Sequence, residues 1–375
     1  MKTNPFYLGK EVSGDFFYDR ERAAEDLYRY VTGGISTVIY APRRYGKTSL
    51  VKRVAARAEV EAGMRVVYLD LMKVESVEKF CSLYAREVLK HLGPIEKALN
   101  GLKTILGGLR PNISMDQTGK LDIGLDFAGS SMAMSDLEDV LNLPARLATE
   151  KKPILVVLDE FQEIATFSDT MPLEGCFRSV MQTHKHVSYV YLGSRTHLMQ
   201  RMFLDRSRPF YKSASLMHLG KPESEDSSRY VTSRMKAYGL HIEKPLADQL
   251  VAIAESVPYY VQALAFHVFE ATVRRKANRV SADDLSNGVD VLLEMNRDLY
   301  ETYLTNLSQA QRKLLSALAR ESAGRFDTAY RTRHSLGVSS TVHSSLVRLQ
   351  ENGLVEQSEG VYLIGDPIFK RYLLG

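Results

Sequence analysis

Through its first 220 residues the chain alternates short continuous apolar runs with amphipathic stretches. The runs are ISTVIYA at 35–41, RVVYLDL at 65–71, PILVVLDE at 153–160, SYVYLGS at 188–194 and ASLMHLG at 214–220. Several are apolar almost throughout, the pattern of strands covered on both faces of a parallel sheet. Between them, helical patterns predict helices over 47–62, 76–91, 135–149 and 172–184. Alternation of this kind predicts a doubly wound α/β domain over residues 1–220. One segment breaks the rhythm. Residues 112–127, NISMDQTGKLDIGLDF, alternate apolar and polar positions on either side of Thr118-Gly119, which predicts an inserted β-hairpin at about 111–128.

After GKPESED at 220–226 the strand signal stops, and residues 227–305 carry helical patterns broken at Gly239, Pro245, Pro258 and NRVSADD, which predicts a helical domain over 221–305. Ser281 and Asp284 are spaced as a capping box with an acidic third partner. Residues 306–375 change character again. An amphipathic helix, SQAQRKLLSALAR, precedes short helical pieces, a helix ending at Asn352-Gly353, and two short strands around SEG. That order predicts a winged helix-turn-helix. Val338, Val342, Leu346 and Leu349 recur at helical spacing and are expected to face a core. Ser340, Thr341, His343, Ser344 and Arg348 would lie on the opposite face, where small polar residues suit entry into a major groove.

The loop after the first run fits A-x-x-x-x-G-K-T, with Ala41, Gly46, Lys47 and Thr48 at the defining positions. Such a loop wraps backbone N–H groups around the phosphates of a nucleotide. Gly46 permits the tight path, Lys47 reaches the terminal phosphates, and Thr48 supplies a hydroxyl to Mg²⁺. The helix N-terminus behind it favours an anion. All of Ala41, Pro42, Arg43, Arg44, Tyr45, Gly46, Lys47, Thr48 and Ser49 are therefore candidate nucleotide-binding residues. For Arg43 and Arg44 three roles stay open: a phosphate, an acidic neighbour, or solvated surface.

A phosphate loop needs a metal partner, and ILVVLDEFQEI at 154–164 ends a buried run in Asp159 and Glu160. Asp159 would hold Mg²⁺ and Glu160 would polarise the attacking water, because phosphoryl transfer depends on positioning and charge neutralisation. Gln162 and Glu163 are expected to start a helix. A third run ends in Ser194 and Arg195. A guanidinium there could read phosphate occupancy bidentately, with an ordinary turn residue as the alternative.

Composition narrows the setting. With 45% apolar residues the chain can bury real cores. Its 49 basic residues nearly balance 45 acidic ones, which excludes a basic tail but permits a local patch for nucleic acid. Within residues 308–375 nine Lys or Arg face six Asp or Glu, a modest excess for a domain that must neutralise several phosphates. Both DNA and a partner protein stay open as its target. The two cysteines, Cys81 and Cys176, have no metal-ligand company in the sequence and predict a reducing compartment. MKTNPFYLGKEV lacks a signal peptide's apolar core, and no run approaches membrane-spanning length. The expectation is a cytoplasmic protein without a membrane partner.

With these strand ends in register, the chain resembles a STAND-type, AAA-related P-loop ATPase, nearest to the archaeal and bacterial "archaeal ATPase" family, over nearly its whole length. NPFYLGKEVSGDFFYDRERAAEDL resembles that family's opening segment: Phe17, Arg20 and Glu21 match, and Asp19 stands for a glycine. MFLDRSRPFYKSA resembles the stretch after the fourth strand, with Lys212-Ser213 where Gly-Arg is usual. ESVPYYVQALAF resembles the Gly-x-Pro helix of the lid, with Ser256 for the glycine and Pro258 in place; GVYLIGDPIFKRYLL resembles the wing and the Asp-Pro-Φ-Phe ending. The resemblance implies an adenine bordered by Phe17, Arg20 and Pro258, ATP or ADP with Mg²⁺, and a nucleotide state that sets domain arrangement. It also implies a closed resting form carrying ADP. Two functions compete: an ATPase whose slow hydrolysis resets a conformational switch, and a nucleotide-gated DNA-associated regulator with negligible turnover. A small-molecule kinase would need neither the helical block nor the end domain. Nucleotide-dependent homo-oligomerisation stays open, with Arg20, Arg201, Arg206 and Arg208 as arginine-finger candidates in trans.

Overall fold

The continuous apolar runs become the strands of one sheet. The computed structural model describes residues 3–7, 20–91, 111–115, 121–125, 133–167, 173–324, 326–358 and 360–375. These form two compact units, one of residues 22–41 and 50–219, the other of residues 1–21, 42–49 and 220–375.

The first unit holds β1 (Thr37–Tyr40), β2 (Arg65–Asp70), β5 (Ile154–Asp159), β6 (Val187–Gly193) and β7 (Ser215–His218), in the order β2-β5-β6-β1-β7. Every neighbouring pair is parallel. Every residue of β5 and β6 is buried, whereas β7 alternates, as befits an edge. Helices α2 (Lys47–Ala62) and α3 (Val77–Leu89) follow the predicted alternation, and α1 (Glu21–Thr32), which the sequence pattern did not predict, precedes β1. Ser76 caps α3, accepting from Lys79 N. The 135–149 helix is two pieces, α4 (Met134–Leu141) and α5 (Leu143–Leu147), because Pro144 sets a new first turn after Asn142. Then come α6 (Leu173–Met181) and α7 (Thr196–Leu204). Phe80, Tyr84, Leu137, Val140, Phe177 and Phe203 from these helices join the strands in one apolar core. The hairpin is present as β3 (Pro111–Met115) against β4 (Leu121–Leu125), antiparallel; its Thr118-Gly119 turn and residues 126–128 lie outside the described residues.

The second unit is mostly helical. α8 (Ser224–Ala237), α9 (Lys244–Ile253), α10 (Pro258–Arg274) and α11 (Ala282–Thr305) form the block that the breaks at Gly239, Pro245 and Pro258 predict. The Ser281 capping box is formed with Asp284. Asn4 ties the chain's start to α10 through Phe266 O and Glu270. α12 (Gln309–Arg320), α13 (Thr328–Arg333), α14 (Ser339–Glu351), the antiparallel pair β8 (Val355–Ser358) and β9 (Val361–Ile364), and α15 (Pro367–Leu374) make the winged helix. Tyr300 of α11 packs on Phe369 and Tyr372 of α15, so one helix serves both the block and the winged helix.

One core expectation is corrected. Val342, Leu346 and Leu349 are buried, but Val338 is 66% exposed. Its extended backbone makes it the residue before α14, outside the helical repeat.

Candidate nucleotide site

The parallel register brings chemistry to one edge of the sheet. Tyr40 pairs with Gly193, and Asp70 with Asp159, so Ala41, Glu160 and Ser194 all follow strands that end on the same side. In open parallel sheets this carboxyl edge is where ligands bind. Asp159 is buried; its carboxylate accepts from the Tyr68 hydroxyl and, at 2.9 Å, from Glu160 N. Glu160 has left-handed backbone, with φ 53°, which turns its side chain out of the strand's alternation. Its Oε2 accepts from Ser194 Oγ at 2.6 Å, from Ser194 N at 3.2 Å and from Gln162 Nε2. The Tyr68 hydroxyl, Ser194 and Gln162 orient the two carboxylates.

Ser194 thus contacts Glu160, the residue that follows Asp159. Arg195 differs: its guanidinium lies 3.7 Å from Glu163. Gln162 and Glu163 fall in a 3₁₀ turn, Phe161–Thr166, with Gln162 completely buried. Tyr68 and Gln162 hydrogen-bond the two candidate carboxylates, a part the sequence reading did not give them. The signal available was positional: Gln162 follows Glu160 by two, and Tyr68 lies two residues before the end of the strand beside β5.

Pro42–Ser49 belongs to the other compact unit. Gly46 sits at φ 85°, a region closed to most side chains, which is why the loop needs glycine there. Lys47 starts α2, is buried, and donates from Nζ to Pro42 O at 2.8 Å, so its ammonium bends back over its own loop. Thr48 is half-buried and Ser49 buried. Tyr45 is buried, and desolvation pushes its phenol well up. Arg20 donates to Gly220 O at 2.6 Å and Tyr45 O at 3.5 Å, pinning the loop's backbone. Phe17 lies outside the described residues.

Both loop arginines are exposed. Arg44, at φ 72°, meets an acidic neighbour: its Nη1 is 3.1 Å from Asp366 Oδ2. Its guanidinium also lies 4.7 Å from the Tyr259 ring centroid and 5.0 Å from that of Tyr260. These tyrosines follow Pro258, the first residue of α10. Ser256 is left-handed at φ 56°, the backbone that a glycine at this position would accept without strain.

Among the described residues no group of three or more His, Cys, Asp or Glu is arranged to hold a metal ion, and no helix is long and apolar enough to cross a membrane.

A five-stranded parallel sheet, a glycine-lysine-threonine loop after β1 and an acidic end to β5 define a P-loop ATPase fold, here followed by a winged helix. Residues 17–209 match the family described as "ATPase domain predominantly from Archaea", and the chain belongs to that family. Residues 298–375 match a second, described as "Probable winged helix domain". No curated protein gives a significant match. Among solved structures, the Walker-type ATPase PABY2304 of Pyrococcus abyssi is similar at 16% identity and TM-score 0.70, over 99% of this chain and 100% of that one. The Aeropyrum pernix ORC2 protein, solved as ADPNP-ADP complexes, aligns at 15% identity and TM-score 0.59 over 98% and 94%. The Aeropyrum pernix ORC1 protein in complex with DNA aligns at 16% and 0.54 over 96% and 93%. At such identities these likenesses establish the fold.

Proposed function

We propose that the protein binds ATP with Mg²⁺ and hydrolyses it slowly, as a STAND-type switch whose nucleotide state sets the arrangement of an ATPase domain (1–220), a helical lid (221–305) and a winged helix (306–375). The observation that carries this reading is the Glu160 carboxylate, turned out of β5 by left-handed backbone and held by Ser194 and Gln162 at the sheet's carboxyl edge. A carboxylate there suits orientation of an attacking water. Backbone of the Ala41–Ser49 loop and the Lys47 ammonium would neutralise the phosphates. Arg195 would sense the terminal phosphate by exchanging Glu163 for it, with Ser194 beside it. Phe17, Arg20 and Pro258 would border the base.

Mg²⁺ takes hard oxygen ligands, few of them from protein and the rest from water and phosphate; by donor chemistry, the Thr48 hydroxyl and the Asp159 carboxylate would be its protein ligands. The ion would neutralise charge developing on the transferred phosphoryl group. Tyr68 would keep the Asp159 carboxylate in one orientation.

The test is calorimetric titration with Mg-ATP together with phosphate release. Lys47→Ala is expected to abolish binding. Glu160→Gln is expected to bind normally while turnover drops by about 10²-fold, trapping the triphosphate. Unchanged phosphate release in Glu160→Gln would remove Glu160 from the chemistry.

A second reading, a nucleotide-gated DNA-binding regulator with negligible turnover, draws support from α14. It exposes Ser340, His343, Ser344 and Arg348 on one face, and the ORC1 protein of similar fold is described in complex with DNA. Undetectable phosphate release with tight ATP binding, plus duplex binding that weakens with salt, would favour it. The solution mass with ADP and with a slow ATP analogue separates nucleotide-driven homo-oligomerisation from an intramolecular switch. We infer from its two free cysteines that the protein works in the cytoplasm.

A further inference from the structure

Asp366 divides its two oxygens between two tasks. Oδ1 accepts from Ile368 N and Phe369 N, both at 2.9 Å, and so caps α15. Oδ2 faces Arg44 of the phosphate loop at 3.1 Å and Tyr300 Oη at 3.3 Å. A helix cap needs only one oxygen, so the Arg44 contact is additional to building the winged helix.

A second winged-helix carboxylate lies close by. Glu356 of β8 packs its Oε1 against Gly365, where an added Cβ would stand 2.3 Å away. Its Oε2 is buried without a hydrogen-bond partner among the described residues. Burial pushes its carboxyl up to about 7, against the pull of Lys221, Lys47 and Arg44. A buried carboxylate without donors is costly unless cations face it, and two of these three cations belong to the phosphate loop. The lid joins the same cluster: Glu255 sits between Lys370 of α15 at 2.7 Å and Lys221 at 3.2 Å.

We propose that Asp366, with Glu356 beside it, is an internal carboxylate ligand of the phosphate loop that competes with the phosphates of an incoming nucleotide, so that a bound triphosphate expels the winged helix from the loop. The proposal rests on the reading of the loop as a nucleotide site. Carboxylate and phosphate are both oxyanions, and a guanidinium pairs with either. Once a terminal phosphate occupies Lys47 and Arg44, Asp366 and Glu356 lose their counter-charges and meet a like charge instead. ADP lacks the terminal phosphate and competes less.

Equilibrium titration of the full chain with Mg-ATP and Mg-ADP tests this, alongside hydrogen exchange of residues 42–48 without nucleotide. Asp366→Asn keeps a helix-capping oxygen and removes the charge; Glu356→Gln is a second variant outside the cap. Asp366→Asn is expected to tighten ATP about tenfold and ADP by clearly less, and to speed exchange in the loop. Glu356→Gln is expected to follow in the same direction more weakly. Equal ATP affinity in wild type and both variants overturns the competition while leaving the nucleotide reading in place, and so does an equal gain for ATP and ADP. Failure of all three proteins to take up Mg-ATP overturns the nucleotide reading, and this proposal with it.

Discussion

Glu160 and Arg44 share a backbone oddity, left-handed φ of 53° and 72°, and each ends in a charge that other groups hold. Glu160 is held by Ser194 and Gln162, neighbours within its own sheet unit. Arg44 is held by Asp366, 322 residues further on. Among the contacts described, the Glu160 carboxylate accepts from a hydroxyl, a backbone N–H and a side-chain amide, whereas Arg44 pairs with a carboxylate. The contrast teaches where conformational control can reside. The acidic strand end is ordered by groups of its own sheet unit. The cationic loop is ordered by a carboxylate from another fold element, which must leave before Arg44 is available.

Gly193 offers the largest blow to the ordered side. A Cβ there would lie 2.2 Å from Met199 Cγ and 2.7 Å from Gln162 Oε1. Gly193→Ala is expected to cost about 1–3 kcal/mol through overpacking, read by chemical denaturation, and to displace Gln162 from Glu160. Phosphate release should fall with it while ATP affinity holds. A full-speed Gly193→Ala enzyme would show that Gln162 does not position Glu160. Tyr68→Phe is gentler. It removes one hydroxyl donor from Asp159 and should slow Mg-ATP turnover about tenfold, or about 1.4 kcal/mol. Part of that loss should be recovered at high Mg²⁺, which a purely structural role of Tyr68 would not produce.

The two sides also differ in how much of them the sequence reveals. Buried parallel strands are written as unbroken apolar runs, so β1, β2, β5, β6 and β7 fall within one or two residues of the predicted runs. Asp159, Glu160 and Ser194 stood out as candidates because each lies at the C-terminal end of such a run. Tyr68 and Gln162 did not, since their role depends on side-chain geometry at the sheet edge that no periodicity encodes. Asp366 was legible only as part of an ending resembling a family pattern, and its meeting with Arg44 leaves no local trace. Arg43 and Arg44 show the limit plainly: adjacent, identical and both exposed, they look alike in the sequence, yet the second has left-handed backbone and meets Asp366, 322 residues further on. Val338 fits the helical spacing of α14 and still falls outside the helix, because spacing does not say where the first turn begins.

The smallest expected effect is a divergence in pH response. In the sheet unit, burial lowers the His184 imidazole to about 4, between Tyr189 Oη at 2.7 Å and Asn142 Oδ1 at 3.1 Å. A depressed histidine makes the folded state bind fewer protons than the unfolded chain. Its stabilising effect is complete above about 6.5 and fades as pH falls toward 4. In the other unit Glu356 is raised to about 7, so its contribution is complete below about 4.5 and fades as pH rises to 7. Asp366, also raised by burial, adds to that trend, while Glu255, lowered by Lys370 and Lys221 against its own desolvation, opposes it. Each of the two larger effects is about 1 kcal/mol after allowance for solvent screening. Hydrogen exchange corrected for intrinsic rates should therefore show β6 losing protection between pH 8 and pH 5 while β8 and α15 gain it. His184→Gln should flatten the first change and Glu356→Gln the second, each without touching the other. Parallel profiles in both regions would mean that these two groups do not set the local pH response.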